Sequence, residues 1–252
     1  MRNFPRLAVL GLAVSLTGCG GHGSFTGSST TTSAQAKSAP KAAPSGPLTS
    51  SRAHAFARAV NLTARDLPGF TASRAGAERE SASERRLQQR FLTCVGRRSS
   101  TGGGSDELSS PKFSRAGVLD EGVSSSVSFL ATDNVAAEEL ALLRSSRARS
   151  CLSTYLQQLF TGRRYGRVSI RDVKISQGVP PAPGSTGGFA WRIRAGVAVR
   201  GVLAHFYLDT LGFIYRQAEV RLLSTGLLVP FPAAAQEHLF RLLLRRAEAA
   251  PL

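Results

Sequence analysis

The chain has 252 residues and a formal net charge of +16 at pH 7, because 32 lysines and arginines face 16 aspartates and glutamates. Such an excess suggests a nucleic acid, a membrane surface or an acidic polymer as partner. The export signal described next excludes nucleic acid. The alternative is that arginine richness reflects genomic base composition, with most arginines on solvated faces.

The first 19 residues have the layout of an export signal. A positive segment that contains Arg2 precedes an apolar run at residues 7–16, which is too short to span a bilayer. The tetrapeptide Leu-Thr-Gly-Cys that ends at Cys19 resembles the lipobox of bacterial lipoproteins. This resemblance implies a signal peptide at residues 1–18 and a diacylglyceryl group, detectable by palmitate labelling, on Cys19. An ordinary secretory signal with an incidental cysteine is the alternative.

Residues 19–50 consist mainly of Ser, Thr, Ala, Pro and Gly, with almost no large apolar side chains. Such a segment cannot bury enough surface to offset the entropy of ordering, so we predict a disordered tether. Residues 51–252 remain for folding. About 200 residues suffice for one domain with a buried core and are marginal for two, so one domain is expected.

Two helices are predicted at the start of this domain. The first spans about residues 51–62, where Phe56 and Val60 share a face, and it ends before a Pro-Gly turn at residues 66–70. The second spans about residues 82–95. Its apolar stripe comprises Leu87, Phe91, Cys94 and Val95, which places Cys94 on the buried side.

A strand and a long helix are predicted next. In residues 122–130 apolar side chains alternate with serines, which is typical of a half-exposed strand. Residues 134–160 form the longest helical pattern and predict one helix, which Gly162 ends. Cys151 lies on the apolar side of that helix.

The remaining pattern favours strands followed by a helix. Residues 168–176 predict a strand with a bulge between Ile170 and Val173. Three consecutive strands after a Pro/Gly loop make a meander, at about residues 191–200, 202–208 and 213–223. The last two are separated by a predicted turn at residues 209–212. A final helix is predicted over residues 233–247.

The cysteine count predicts a disulfide. If Cys19 carries lipid, then Cys94 and Cys151 remain as an even pair in an oxidising compartment. The bond would join two helices, and two buried free thiols are the alternative. No metal site is predicted, because no histidine lies at ligand spacing from another histidine or a cysteine. The histidines are His22, His54, His205 and His238.

These elements predict an α+β fold, in which an antiparallel sheet with a C-terminal meander is packed with helices in a single domain. The sequence resembles a known group of proteins in three features. They are residues 60–62 leading to residues 66–70, the pair Cys94 and Cys151, and the closing meander and helix. The layout is similar to exported actinobacterial lipoproteins with a PsbP-like fold, a broad group that includes the extracellular sensor domain of the mycobacterial receptor kinase PknH. The resemblance implies a noncatalytic domain with a groove between sheet and helices that holds a small or lipid-like ligand.

Two motifs match catalytic patterns by coincidence. Gly18, Gly20 and Gly23 match a dinucleotide-binding glycine pattern, but they follow no strand. Ser109 and Lys112 match the S-x-x-K pattern of penicillin-recognising enzymes, but neither accompanying motif is present. We therefore predict no catalytic residues and no cofactor.

Three residues of the meander are candidates for ligand binding. His205 and Tyr207 lie near each other in one strand, where His205 could line a ligand groove. Trp191 is the only tryptophan and would serve as a ligand platform. The alternatives are a surface or edge position for His205 and a core position for Trp191.

Two groups of arginines could attract anionic head groups or phosphate-bearing wall polymers if they share one face. They are Arg85, Arg86, Arg90, Arg97 and Arg98, and Arg163, Arg164 and Arg167. Dispersed, solvated positions are the alternative.

The sequence thus predicts an extracytoplasmic, noncatalytic lipoprotein that is lipid-anchored to the cell membrane and binds a small or lipophilic ligand. The alternative is a basic adaptor for an anionic membrane, a cell-wall polymer or an envelope protein. An enzyme is the third hypothesis, and it requires His205 or a hidden catalytic cluster at the base of a cleft.

Overall fold

The computed structural model describes residues 48–73, 82–96, 107–115, 121–160, 168–199 and 202–252. The predicted signal peptide, Cys19 and all but the end of the predicted tether lie outside the described residues. None of the helices in the described ranges is long and apolar enough to cross a bilayer.

The described residues form five α-helices and an eight-stranded antiparallel sheet, which confirms the α+β prediction. The helices are α1 (Ser50–Val60), α2 (Ala82–Val95), α3 (Asp133–Leu143), α4 (Ser146–Phe160) and α5 (Ala233–Ala249). The strands are β1 (Phe70–Ser73), β2 (Leu108–Ser109), β3 (Lys112–Arg115), β4 (Gly122–Phe129), β5 (Val168–Gly178), β6 (Gly187–Val199), β7 (Val202–Tyr215) and β8 (Ala218–Leu227). The order in the sheet is β1-β3-β4-β8-β7-β6-β5, and β2 pairs with β4.

A hydrophobic core lies on each face of the sheet. On one face α5 packs against β7 and β8, and α1 packs against β4 and α5. On the other face α3 packs against β6 and β7, α4 against β5, and α2 against α4. The first core is built around Phe56, Val60, Phe213, Val220, Leu222 and Leu243, and the second around Trp191, Ile193, Ile214, Leu156 and Ala136.

The single long helix predicted over residues 134–160 is wrong, because the chain breaks between α3 and α4. Ser145 Oγ accepts a hydrogen bond from Ala148 N at 3.0 Å and so caps the start of α4. The Arg144 guanidinium donates to Gly188 O at 2.6 and 2.9 Å. These contacts hold the bend, and α3 and α4 can then pack on different strands.

The meander is confirmed, but its last turn lies elsewhere than predicted. β7 continues through residues 209–212, and the chain turns at Arg216, whose φ is 51°. Asp209 is tolerated inside the strand because Arg192 of β6 pairs with it. Gly212 lies directly opposite Phe189 of β6, whose ring occupies the space that a larger residue would need. The bulge predicted in β5 is confirmed between Arg171 and Val173.

The half-exposed character predicted for β4 holds for Ser124 and Ser126, which are half-buried, but not for the end of the strand. Ser125 and Ser128 are buried, and Ser125 lies on the same face as Val123 and Val127. Its hydroxyl donates to Asn61 Oδ1 at 2.8 Å and accepts from Leu62 N at 2.8 Å. Because this buried hydroxyl both donates and accepts a hydrogen bond, Ser125 connects β4 to the segment that follows α1.

The disulfide between Cys94 and Cys151 is present and joins α2 to α4, as the sequence predicted. Cys151 is buried, but Cys94 is exposed, so the predicted burial of Cys94 is wrong. Phe91 and Val95 are the residues of α2 that turn to the core. Arg147 Nε also donates to Cys94 O at 2.7 Å, which adds a second link between the two helices.

Candidate functional site

The face of the sheet that carries α1 and α5 is covered over only part of its width. On this face the side chains of β5 and β6 and of the first half of β7 are exposed or half-buried. We call this surface the open face and define it by six side chains. They are Lys174, Arg192, Arg194, Leu203, His205 and Tyr207.

Strand alternation and register bring these residues together. In β6, Arg192 and Arg194 alternate with the core residues Trp191 and Ile193, so both arginines point away from that core. The register places Arg194 between Lys174 of β5 and Tyr207 of β7. A row of two cations and an aromatic ring therefore crosses three strands, and neighbouring side chains in such a row lie within contact range.

The Arg192 guanidinium is held in one orientation by a buried carboxylate. Arg192 Nε and Nη2 donate to the two carboxylate oxygens of Asp209 at 2.6 and 2.8 Å. The Asp209 side chain is only 3% exposed, whereas that of Arg192 is 45% exposed. The hydrogen bond to Asp209 raises the pKa of Arg192, so this cation stays charged. Its remaining N–H donors are left for solvent or an anion.

Helix α5 takes part in the same network. Gln236 Nε2 of α5 lies 2.7 Å from Ser224 Oγ of β8 and 3.4 Å from the Asp209 carboxylate. The start of α5 is thereby connected to the strand that carries His205 and Tyr207. Arg192 and Asp209 mark the boundary between the covered and the open part of this face.

Large apolar side chains line one end of the open face. Leu203, Leu228 and Val229 are 56%, 58% and 66% exposed. Leu228 N donates to His205 O at 2.7 Å, which places Leu228 beside His205. Gly226 lies opposite Tyr207, and the chain at Val229 folds back over Gly226, where a Cβ would clash with Val229 O. We call these three residues the apolar rim.

Trp191 does not belong to this surface. It is 7% exposed and packs in the second core, on the other face of the sheet from His205 and Tyr207. Of the three predicted ligand-binding residues, the structure brings His205 and Tyr207 together, with ring centroids 6.4 Å apart, and separates Trp191 from them. A ligand on one face of the sheet cannot contact all three.

A second ion pair is buried on the face that carries Trp191. Arg221 Nε donates to Glu219 Oε1 at 2.6 Å, and the two side chains are 11% and 1% exposed. Burial lowers the pKa of Arg221, but the charge of Glu219 and its hydrogen bond, with a contribution from Glu107, raise the pKa above its ordinary value. The described residues contain no group of three or more His, Cys, Asp or Glu side chains suited to a metal ion.

The grouped arginines that lie in the described part of the chain do not contribute to the open face. Arg85, Arg86 and Arg90 are exposed on α2, which packs on the opposite side of the sheet. The other members of those groups, Arg97, Arg98, Arg163, Arg164 and Arg167, lie outside the described residues. Sequence reasoning missed Lys174, Arg192, Arg194 and the apolar rim as site residues. The Arg-Ile-Arg alternation at residues 192–194 is the signal that could have indicated a basic strand face.

Comparison with known proteins gives distant structural likeness and no sequence match. No protein-family model matches the chain, and no curated protein sequence matches it. The crystal structure of the extracellular domain of PknH from Mycobacterium tuberculosis is similar with a TM-score of 0.39 and 10% sequence identity, over 81% of this chain and 98% of that chain. Membership in the PsbP-like group of lipoproteins stays a prediction.

Proposed function

We propose that this chain is an extracytoplasmic, noncatalytic lipoprotein, anchored to the membrane through Cys19, whose domain binds an anionic amphiphile on the open face. An anionic amphiphile is a molecule with an acidic head group and a hydrocarbon chain. The observation that carries the proposal is the juxtaposition of Lys174, Arg192 and Arg194 with the apolar rim. The proposed binding surface is the exposed sheet beside α5, in place of the groove between sheet and helices that the resemblance implies.

The charges on the open face favour an acidic head group. Lys174, Arg192 and Arg194 lie on this face, and its buried carboxylate, Asp209, is already paired with Arg192. A cation near an anionic lipid surface contributes about 1 kcal/mol of attraction. Tyr207 lies next to Arg194 and adds a hydroxyl that can donate to a phosphate oxygen.

The apolar rim favours a hydrocarbon chain next to that head group. Covering exposed apolar surface contributes about 25 cal/mol per Å² removed from water. Single exposed apolar residues are ordinary, but a contiguous group beside polar side chains is typical of a binding surface. Leu228 and Val229 are adjacent in sequence and lie beside His205 and Tyr207, so the group is contiguous.

The surroundings of His205 support a noncatalytic role. Within β7, the carboxylate nearest to His205 in sequence is Asp209, four residues along the strand, which corresponds to about 13 Å. Asp209 is held by Arg192 and Gln236 and does not orient the imidazole. A histidine that acts as a general base in a nucleophilic site needs both a nucleophile and an orienting group within hydrogen-bond reach.

The test is calorimetric titration of the full-length protein with monomeric lysophosphatidic acid. We expect saturable binding, and at least tenfold weaker binding of lysophosphatidylcholine with the same chain and of glycerol 3-phosphate, which lacks the chain. The double variant K174A/R194A should also bind at least tenfold more weakly, since it loses two cations worth about 1 kcal/mol each. R85A/R86A on α2 is the matched control and should bind normally. Equal affinity for the phosphate and phosphocholine head groups would contradict the proposal.

A further inference from the structure

The apolar rim and the cations of the open face lie one behind the other along the strands. Leu203 is four residues before Tyr207 in β7, a distance of about 13 Å along the strand. Arg194 is the register partner of Tyr207, and Lys174 is the register partner of Arg194. Leu203 therefore ends the surface about 13 Å from the row of cations. Leu228 lies between them beside His205, and Val229 folds back to Gly226, which is the register partner of Tyr207.

Leu228 is held in a backbone conformation that leucine rarely adopts. Its φ is 72°, in the left-handed region, and the hydrogen bond from its N–H to His205 O holds it there. The side chain presented in this way is 58% exposed. A strained residue that leaves a large apolar side chain in solvent points to a contact made by that side chain.

We infer that the open face docks on the surface of an anionic bilayer, with the apolar rim inserted among the lipid head groups and the cation row on the phosphates. The inference rests on the proposed function and names the source of the amphiphile as a lipid that remains in its membrane. A free amphiphile that the domain takes away from the membrane is the competing source.

The dimensions of a bilayer surface match this arrangement. Apolar side chains of interfacial proteins penetrate about 5–10 Å into the boundary between head groups and acyl chains. Insertion of Leu203 and Leu228 to that depth would leave Val229, Lys174 and Arg194 close to the head-group layer. Charges there act over a Debye length of about 8 Å at physiological ionic strength. The net charge, which is +16 for the whole sequence and +14 without Arg2 and Arg6 of the proposed signal peptide, also draws the chain as a whole towards anionic lipid.

The test places an environment-sensitive dye on the rim and at a matched control position. Cysteine is introduced at Leu228 (L228C) or at Val179 (V179C), in full-length protein that carries Cys19→Ala, so that the new thiol is free while Cys94 and Cys151 stay bonded. Val179 is 63% exposed and follows β5 at the opposite end of the strands from Leu203. The Cys19 background removes the acyl anchor from every sample.

With vesicles of phosphatidylcholine and phosphatidylglycerol, we expect a blue shift of the dye at position 228 and quenching by spin-labelled lipid. The dye at position 179 should keep the emission wavelength that it has in water. Pure phosphatidylcholine vesicles or 0.5 M salt should abolish the shift, as should K174E/R194E. A dye at position 228 that stays aqueous on anionic vesicles, or that shifts as much on neutral ones, overturns the inference. So does an equal shift at position 179.

The two proposals fail in different ways. If monomeric lysophosphatidic acid binds and the dye at position 228 stays aqueous on vesicles, the bilayer inference is wrong and the proposed function stands. If lysophosphatidic acid does not bind, the proposed function is wrong, and the bilayer inference falls with it.

Discussion

Arg192 of β6 donates two hydrogen bonds to Asp209 of β7, one to each carboxylate oxygen, at 2.6 and 2.8 Å. Bidentate pairs of this kind fix both side chains as well as the charge. Because Gln236 of α5 also contacts Asp209, the pair connects the open face to the helix that covers the rest of the sheet. The same cation is thus a structural partner of Asp209 and a candidate contact for an anion.

Replacing Arg192 with alanine should destabilise the fold. Asp209 is 3% exposed, so the variant leaves a buried carboxylate without its main partner. We expect the free energy of unfolding to fall by about 2 kcal/mol, a value limited by the partial exposure of Arg192. Urea denaturation measures the change. R194A, on the same strand and face, is the control and should change stability by less than about 0.5 kcal/mol. Equal losses in both variants would show that the pair with Asp209 is not the cause.

The ion pair between Asp66 and Arg246 should make the free energy of unfolding depend on pH in the acidic range. Burial raises the pKa of Asp66, but hydrogen bonds from Arg246 and Thr63 outweigh it and hold the pKa below its ordinary 3.8. The ionised carboxylate of Asp66 therefore stabilises the fold at pH values above 3.8. This stabilisation is lost as the pH falls through the lower pKa that Asp66 has in the folded state. Asp66→Asn should be less stable than the parent at pH 6, and the difference should shrink below about pH 4.

Unfolding free energies of the parent and of Asp66→Asn across pH 6 to pH 2.5 test this expectation. Glu237→Gln is the control, because Glu237 pairs with Arg241 on the exposed side of α5. Its difference from the parent should be small at every pH. A gap between Asp66→Asn and the parent that stays constant as pH falls would contradict the prediction.

Because the Phe189 ring contacts Gly212, replacement of this glycine by alanine should destabilise the fold. A Cβ at Gly212 would overlap the Phe189 ring, which lies across it from the neighbouring strand. Gly212→Ala should lower the free energy of unfolding by about 1–3 kcal/mol through overpacking. The double variant F189L/G212A should recover part of that loss, so a double-mutant cycle should give a favourable coupling energy. Additive effects of the two changes would rule out the overlap as the cause.

Loss of the disulfide should lower the free energy of unfolding more than any of the substitutions described above. The bond between Cys94 and Cys151 spans a sequence separation of 57, for which chain entropy gives a stabilisation of about 4 kcal/mol. The variant C94A/C151A should lose up to this amount in urea denaturation under oxidising conditions. The parent should lose the same amount when reduced, whereas the variant should not respond to reductant. Cys19→Ala is the control for loss of a cysteine and should keep the parent's stability.

The local patterns were sufficient for most of the elements. The bounds of α2, the strand alternation of β6, the bulge in β5 and the pairing of Cys94 with Cys151 agree with the sequence predictions. The short strands β1, β2 and β3 were not predicted. They are too short for a recognisable alternation and exist through their pairing with one another and with β4. The break at Ser145 was missed because the apolar periodicity continues across it.

For this protein, the sequence alone determined the class of the fold, the central meander and the disulfide, because alternation, helical periodicity and an even cysteine pair are local or compositional signals. Tertiary structure decided which residues share a surface. It placed Trp191 in a core and His205 beside Leu228, and it allowed Asp209 to lie inside a strand by pairing it with Arg192. Those outcomes depend on strand register and on which helix covers which strand, and both arise from packing between segments far apart in the chain.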